Sequence, residues 1–580
     1  MNMTFAVFGL ILVPALPLVL LLFWWVPTLR PRIEVLTPWA ALPALLLALL
    51  GETCVRVELE WLLFGTVLAM DSLTRVFLAF TALLWLGAGI FSQGTLVNDE
   101  RAGSFRLAWL ATMAGNFTLL LALDVVTFYA GFALMTFAAY ALIIHSRSVE
   151  ALFAGRIYLI MAVLGEGLII AGLLLAASRS AAPLAAMLAD IPGAVADAPH
   201  RDLIMACLLL GFGVKAGLPL LHMWLPLAHP AAPVPASAVL SGAMIKAGLL
   251  GWLSTLPFGL VALPQWGLGV MTAGFVAAFG GALIGVHQRT AKTVLAYSSI
   301  SQMGLITVGI GAGLYQPGLW PALAPALALY AFHHGLAKGA LFLGVGVANQ
   351  GAAKWRSGLW LALALPGLSL AGLMVSGAVA KVSFKTVLEV GIETPIWWQY
   401  LPLLLSLATI GTTTLIARYL WLLYQSESQI KVYDSQWLGW GLLLAASMGG
   451  LALLPWVPTI SEIPPSPIYL PGLIWPVLVG MVLAVGVARY LRPWPLPEGD
   501  LIVLFRFSAD GGLRIYLHRV LSMMATVSNQ MRPTRQQRKS PETDTRSERS
   551  DLEYLLRRNT ALVFTSLLAA GMMALLFDFW

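Results

Sequence analysis

A chain of 580 residues, 59% of them hydrophobic and 11% charged, with a mean hydropathy of +0.84, holds more apolar surface than a globular core can bury. This excludes an ordinary soluble protein. The net charge of +7 is mostly a property of the C-terminal tail, so nucleic acid would find almost no exposed basic surface.

Apolar runs of about 17 to 25 residues, the length that spans a bilayer, recur from Phe5 to Trp580, and roughly sixteen are counted. They are continuous and rich in Leu, Ala and Gly, whereas a barrel would alternate over short segments. The expected fold is an all-α polytopic membrane protein. The first run, Phe5 to Val26, lacks a basic leader and is too long for a signal-peptide core, so it reads as a retained first helix. Arg30 and Arg32 follow it, and a second helix, 36–50, leads to Glu52, Glu58 and Glu60. Continued alternation puts Arg101, Arg106, Arg147, Arg156, Arg289, Lys292, Lys354 and Arg356 with Arg30, and Asp190, Asp197, Asp202, Glu389, Glu393 and Glu462 opposite. The positive-inside rule then makes the Arg30 side cytoplasmic, in a cell inner membrane, with both chain termini outside. DSLT at 71–74 carries N-cap chemistry for the third helix.

Glu166 lies inside the run RIYLIMAVLGEGLIIAGLLLAAS, an intramembrane carboxylate. A loop, 178–202, follows, in which AAPLAAMLA has the makings of a short surface helix. From Cys207 to Leu253 two apolar runs carry one lysine each, Lys215 and Lys246, around a polar, proline-rich break containing His222, Pro226, Pro230 and Pro233. A mid-bilayer ammonium costs roughly 2.5 to 3.5 kcal/mol even on the most lenient scale, so such lysines persist where they meet water or a partner. A backbone break at that depth must be buried in protein or line a hydrated cavity. Together they suggest an ion path. GFGVKAG, 211–217, superficially fits a dinucleotide-binding pattern, but no strand precedes it, and small residues in a membrane helix serve close packing. There is no P-loop or flavin motif, and Cys54 and Cys207 form neither a disulfide framework nor a metal site. No cofactor and no redox site of the chain's own are expected.

KAGLPLLHMWLPLAHPAAPVPASAVLSGAMIKAG, 215–248, resembles the signature of the antiporter-like subunits shared by respiratory complex I, membrane-bound hydrogenases and Mrp-type cation/proton antiporters. Leu227 replaces the aspartate usual in that turn. In DVVTFYAGFALMTFAAYALIIH, 124–145, the family's tryptophan-glutamate pair falls on Phe132 and Ala133, so the carboxylate that partners the lysine of the broken helix is missing there. Glu166 on the next helix is the candidate replacement. The alternatives are a packing kink at Gly-Glu-Gly and a face toward a neighbouring subunit.

HQRTAKTVLAYSSISQMGLI, 287–306, resembles a second family element, with Gln288 at the usual aspartate and Lys292 at its lysine. FHHGLAKGALFLGVG puts His334 and Lys338 four residues apart on one helix face, with His333 one step round, the pattern of a proton relay. A second interrupted helix, 361–391, carries Pro366 and a family-like terminal lysine, Lys381; Lys385 one turn on reads as an interfacial anchor. Two broken helices in corresponding places suggest an inverted repeat. The expected organisation is N-terminal helices 1–104, first repeat 105–257, second repeat 264–425, C-terminal helices 436–491, a cytoplasmic amphipathic or disordered segment 492–558 opening on PEGD, and a last helix 559–580.

The resemblance implies a subunit that moves H⁺, or a cation such as Na⁺, through the bilayer along a Lys/His relay. It would work beside other membrane subunits and a soluble redox or zinc protein, for instance within an NADH:quinone oxidoreductase-like complex. Alternatives are a DabB-type membrane partner in ion-driven inorganic-carbon uptake, and a non-conducting scaffold, for which Ala133 and Leu227 speak.

Overall fold

The computed structural model describes residues 2–53, 55–178, 183–348, 356–373, 375–390, 400–426, 432–453, 470–490 and 499–500. The expected segment 492–558, apart from its Gly499–Asp500 pair, and the expected last helix 559–580 lie outside the described residues.

The chain opens with α1 (Asn2–Phe23), α2 (Arg30–Leu36) and α3 (Leu42–Leu50). The expected second helix is divided: α2 and the segment Pro38–Leu50 meet at 50°, where Pro38 removes a backbone donor. A small antiparallel ribbon, β1 (Arg56–Leu59) with β2 (Thr66–Ala69), is an addition to the all-helical reading. It is stitched to the helices by Asp124, which accepts from the backbone of Val67 at 2.9 Å and caps the next helix through Thr127 N at 2.7 Å.

α4 (Ser72–Thr95) starts at the expected cap, Asp71 accepting from Thr74 N at 2.6 Å. After α5 (Ala102–Leu121), α6 (Val125–Ile143) and α7 (Val149–Ala177) come two 3-10 turns, Pro183–Ala185 and Leu188–Asp190, in place of a helix in AAPLAAMLA. The short helix, α8 (Ile191–Ala196), forms just beyond them, with Pro192 in its first turn, where a proline's missing donor costs nothing.

α9 (Arg201–Ala216) ends one residue after Lys215. Gly217 stops it at φ +83°, a left-handed turn in which the amides of Gly217 and Leu218 both return to Gly213 O. The irregular stretch 217–224 contains His222. Pro226 then opens α10 (Leu225–Ala231), Pro230 sits in its last turn, and Pro233 caps α11 (Val234–Val239). One π-turn, Leu240–Met244, joins α11 to α12 (Ile245–Thr255).

The second half holds α13 (Pro264–Val286), α14 (Ala291–Tyr315), α15 (Trp320–Val347), α16 (Arg356–Ala371), α17 (Val375–Val390), α18 (Leu401–Tyr424), α19 (Asp434–Gly449) and α20 (Leu470–Tyr490). The break here corrects the expectation for Pro366. α16 runs through that proline, and the chain turns instead at Gly372, φ +96°, a conformation open to glycine.

Among the described residues ten helices are long and apolar enough to cross a membrane, or eleven counting the bent pair. The chain is a multi-pass membrane protein. Spans divided by a break, such as α9 with α10, do not reach that length as single helices. The packing is layered: the apolar windows of 234–255 and 291–315 are 100% buried, those of α7 and α13 only 44% and 50%. The inner helices therefore have no lipid to face, yet they carry buried polar side chains, among them Ser241, Lys246, Ser299 and Gln302.

Close packing of the layers rests on glycine. A Cβ on Gly211 of α9 would meet Ile169 N at 2.9 Å and Gly165 O at 3.0 Å on α7. The two backbones touch, which fixes Glu166 beside the end of α9 that holds Lys215.

Candidate functional site: a buried line of lysines and histidines

Lys215 is buried, and its ammonium donates to Thr136 Oγ1 at 3.0 Å and Tyr158 Oη at 3.1 Å. Tyr158 Oη donates in turn to Thr136 O at 2.7 Å. The rings of Tyr158, Phe132 and Trp224 stand 5.3, 5.8 and 5.9 Å from the nitrogen, a cage whose π faces favour a cation. Phe132 thus occupies the wall at the position the family gives to tryptophan. Trp224, in the broken stretch, is held by its indole N–H to Val214 O at 2.8 Å.

Glu166 lines the same small cavity as Lys215, Thr136, Tyr158 and Trp224. It is buried, neither carboxylate oxygen has a hydrogen-bond partner, and it forms no ion pair with Lys215 among the described residues. It is nevertheless within electrostatic reach of that lysine.

A second group sits on the inner helices. Lys246 donates to Ser241 O, in the π-turn, at 2.7 Å; such turns recur at functional positions because they expose a carbonyl that an α-helix would use. Ser241 Oγ bonds Ser299 Oγ at 2.6 Å, Ser299 Oγ donates to Leu295 O at 3.0 Å, and the same carbonyl accepts from Lys338 at 2.9 Å. Lys246 and Lys338 are thereby joined through two hydroxyls and two carbonyls. His334, one turn before Lys338, is fully buried with both ring nitrogens unpartnered. The same is true of His229, which stacks on Phe342 at 4.5 Å.

His333 points elsewhere, its Nδ1 bonding Ser376 Oγ at 3.1 Å just after the second break; Ser376 also bonds Ser369 Oγ at 3.0 Å across that break. Lys381 follows, donating to Ala371 O at 3.3 Å and Thr409 Oγ1 at 3.2 Å. Lys292 donates to Ala232 O at 2.6 Å, bracing the α10–α11 junction. Lys385 pairs with Glu389 at 3.4 Å and is part-exposed.

The sequence reading therefore finds three of its residues on one connected or neighbouring network, Lys246, His334 and Lys338, and two more in one cavity, Glu166 and Lys215. His333 and Lys381 belong to the second break, and Lys292 and His222 to the first. Among the described residues no cluster of His, Cys, Asp or Glu could hold a metal. Two residues escaped that reading. His229 lay in the proline-rich turn with no partner to mark it, and Asp500 was visible only as the end of PEGD.

Buried amines spaced by hydroxyls and carbonyls can bind and release protons without a metal or a cofactor, each charge state being set by its neighbours. Residues 122–357 match the model of the NADH:quinone oxidoreductase/Mrp antiporter transmembrane family. Over that segment the chain resembles the family. Lys215, Lys246, Lys292 and Lys338 all lie within the matched region. Among relatives, hydrogenase-4 component B of Escherichia coli K12 is 32% identical over 299 residues, 48% of this chain and 43% of that protein. NADH-quinone oxidoreductase subunit N of Desulforudis audaxviator is 29% identical over 331 residues, 53% of this chain and 62% of that one. The chain thus spans about half the length of the curated relatives it matches. In fold it resembles a chain of the Mrp complex from Dietzia sp. DQ12-45-1b, with a TM-score of 0.72 at 22% identity over 96% of this chain and 66% of the other. The likeness of fold to that chain therefore extends well beyond the matched segment.

Proposed function

We propose that the chain is a proton- or cation-translocating subunit of a multisubunit membrane complex, moving its ion along the buried lysines. The observation that carries this reading is the Lys246–Ser241–Ser299–Lys338 connection between two fully buried amines. A structural role alone would not require two amines where apolar side chains would pack at lower cost, since an uncompensated buried charge costs several kcal/mol. Lys215 with Glu166 forms one station, Lys246 with Lys338 and His334 the centre, and His333 with Lys381 the far station. The stations fall in two inverted repeats, 105–257 and 264–425, each opened by a helix break. The relay runs in a cytoplasmic membrane, with the Arg30 side inward and both termini outward. Its partners are other membrane subunits, as for the hydrogenase and quinone-oxidoreductase subunits it is similar to, together with a soluble redox or zinc protein.

The scaffold alternative draws on Ala133 and Leu227, and the buried amines speak against it. To test the proposal, the tagged chain is purified from membranes with what binds it and reconstituted into vesicles carrying a pH-sensitive dye. Integral membrane partners and an ion-dependent pH change are expected. Isolation as a lone chain with no flux would overturn it.

A further inference from the structure

The first helix break is closed from a distant part of the chain. Gly499 and Asp500 reach the stretch 217–224 and the start of α14. Gly499 N donates to Gln288 Oε1 at 3.1 Å. The Tyr297 hydroxyl faces both Gly499 O at 2.9 Å and Asp500 Oδ2 at 3.2 Å. Arg418 donates to Gln288 O at 3.0 and 3.3 Å, holding the residue that holds Gly499. Asp500 is 5% exposed, so its carboxylate has been taken out of water and must be compensated locally.

His222 is one of the groups that face it. Its Nδ1 faces Leu218 O at 3.2 Å and its Nε2 faces Asp500 Oδ2 at 3.6 Å. A neutral imidazole has one N–H and one lone pair. Whichever nitrogen carried the hydrogen, the other would direct its lone pair at an oxygen, either the carbonyl or the carboxylate. Only the imidazolium presents a hydrogen to both. Among the groups facing the pair is Tyr297, whose ring centre is 6.4 Å from that of His222 and whose hydroxyl donates toward the carboxylate; Arg418 is set behind Gln288.

We propose that His222 and Asp500 form a proton-holding site at the first break, with the proton on the imidazole, and that Asp500 is the positioning residue that keeps it there. The site lies in the same short stretch as Trp224, whose ring contacts the Lys215 ammonium. It therefore offers a proton store one loop away from the first station. This role rests on the translocation reading, but the site itself does not, and it is tested without any flux.

The full-length protein, with ¹⁵N-labelled histidine, is placed in lipid nanodiscs near pH 7.5, and the ring nitrogens are observed by NMR, with His222→Gln identifying the resonance. Two protonated ring nitrogens are expected for His222 in the wild type. In Asp500→Asn, which keeps an oxygen to accept from Tyr297, the signal should move to a neutral tautomer, and Asp500→Glu should restore the imidazolium. A neutral His222 in the wild type, or an imidazolium that persists in Asp500→Asn, would overturn the proposal. Loss of flux in Lys215→Ala with these shifts unchanged would leave the site standing apart from its use. Normal flux in Lys215→Ala would contradict the translocation reading and not this pair.

Discussion

Glu166 and Lys215 line one cavity between α7 and α9, yet they make no ion pair. The lysine spends its hydrogens on Thr136 and Tyr158, while both oxygens of the glutamate stay unpartnered. A buried carboxylate without a donor loses its hydration with only the nearby charge of Lys215 to offset it, so this spacing points to a partner that arrives as the lysine or its cavity changes state. The family position for a carboxylate, Ala133, is empty of one.

Glu166→Gln should therefore slow ion-driven flux by about tenfold or more, the effect of roughly one unit of lost tuning on a neighbouring amine, with membrane abundance unchanged. The check is the initial rate of dye response in vesicles containing the assembled complex. An unaltered rate would mean that Glu166 is only a packing residue or faces another subunit.

Lys338→Ala removes one end of the Ser241–Ser299 connection and leaves Leu295 O with Ser299 as its side-chain donor; Lys381→Ala removes the donor to Thr409. Each should reduce flux while leaving the chain in the membrane and its complex assembled. Immunoblotting and size-exclusion profiles check assembly, and vesicle flux checks transport. Full activity in both variants would remove the second half of the relay.

The corner between α4 and α5 gives a pH prediction clear of the membrane-spanning segments. Burial alone would raise the Asp99 carboxyl, but the hydrogen bond to His145 Nε2 at 2.7 Å, with the Arg101 amide, holds it below its ordinary value of 3.8. A lowered folded-state value means the contribution to stability is present above the ordinary value and is lost as pH falls through the lower one. Asp99→Asn should lower the thermal midpoint at pH 7, by the equivalent of about 1 kcal/mol for a part-exposed charged hydrogen bond. The gap from wild type should close below pH 4. A gap that is constant with pH would assign the loss to packing.

The membrane architecture was legible because length and apolarity alone define spans, and the break at 217–233 because four prolines mark it and two lysines flank it. The second break was misplaced: Pro366 signals interruption, but α16 continues through it, and the turn needed the positive φ that Gly372 provides. The ribbon at 56–69 was missed since each strand is only four residues long. The candidate lysines were visible as charges in apolar runs, whereas the hydroxyls that join them were not, serine and threonine being ordinary in membrane helices. Asp500 could not be assigned to His222 by any sequence pattern, for 277 residues intervene between positions 222 and 500 and only the fold brings them together.

The central claim, an ion path through the buried amines, is tested most directly by Lys215→Ala. The variant complex would be purified, shown to contain the same subunits as the wild type, reconstituted at equal density, and its flux followed with a pH-sensitive dye under an imposed gradient. The account predicts that flux falls to the level of protein-free vesicles while assembly is retained. Flux at the wild-type rate would contradict it.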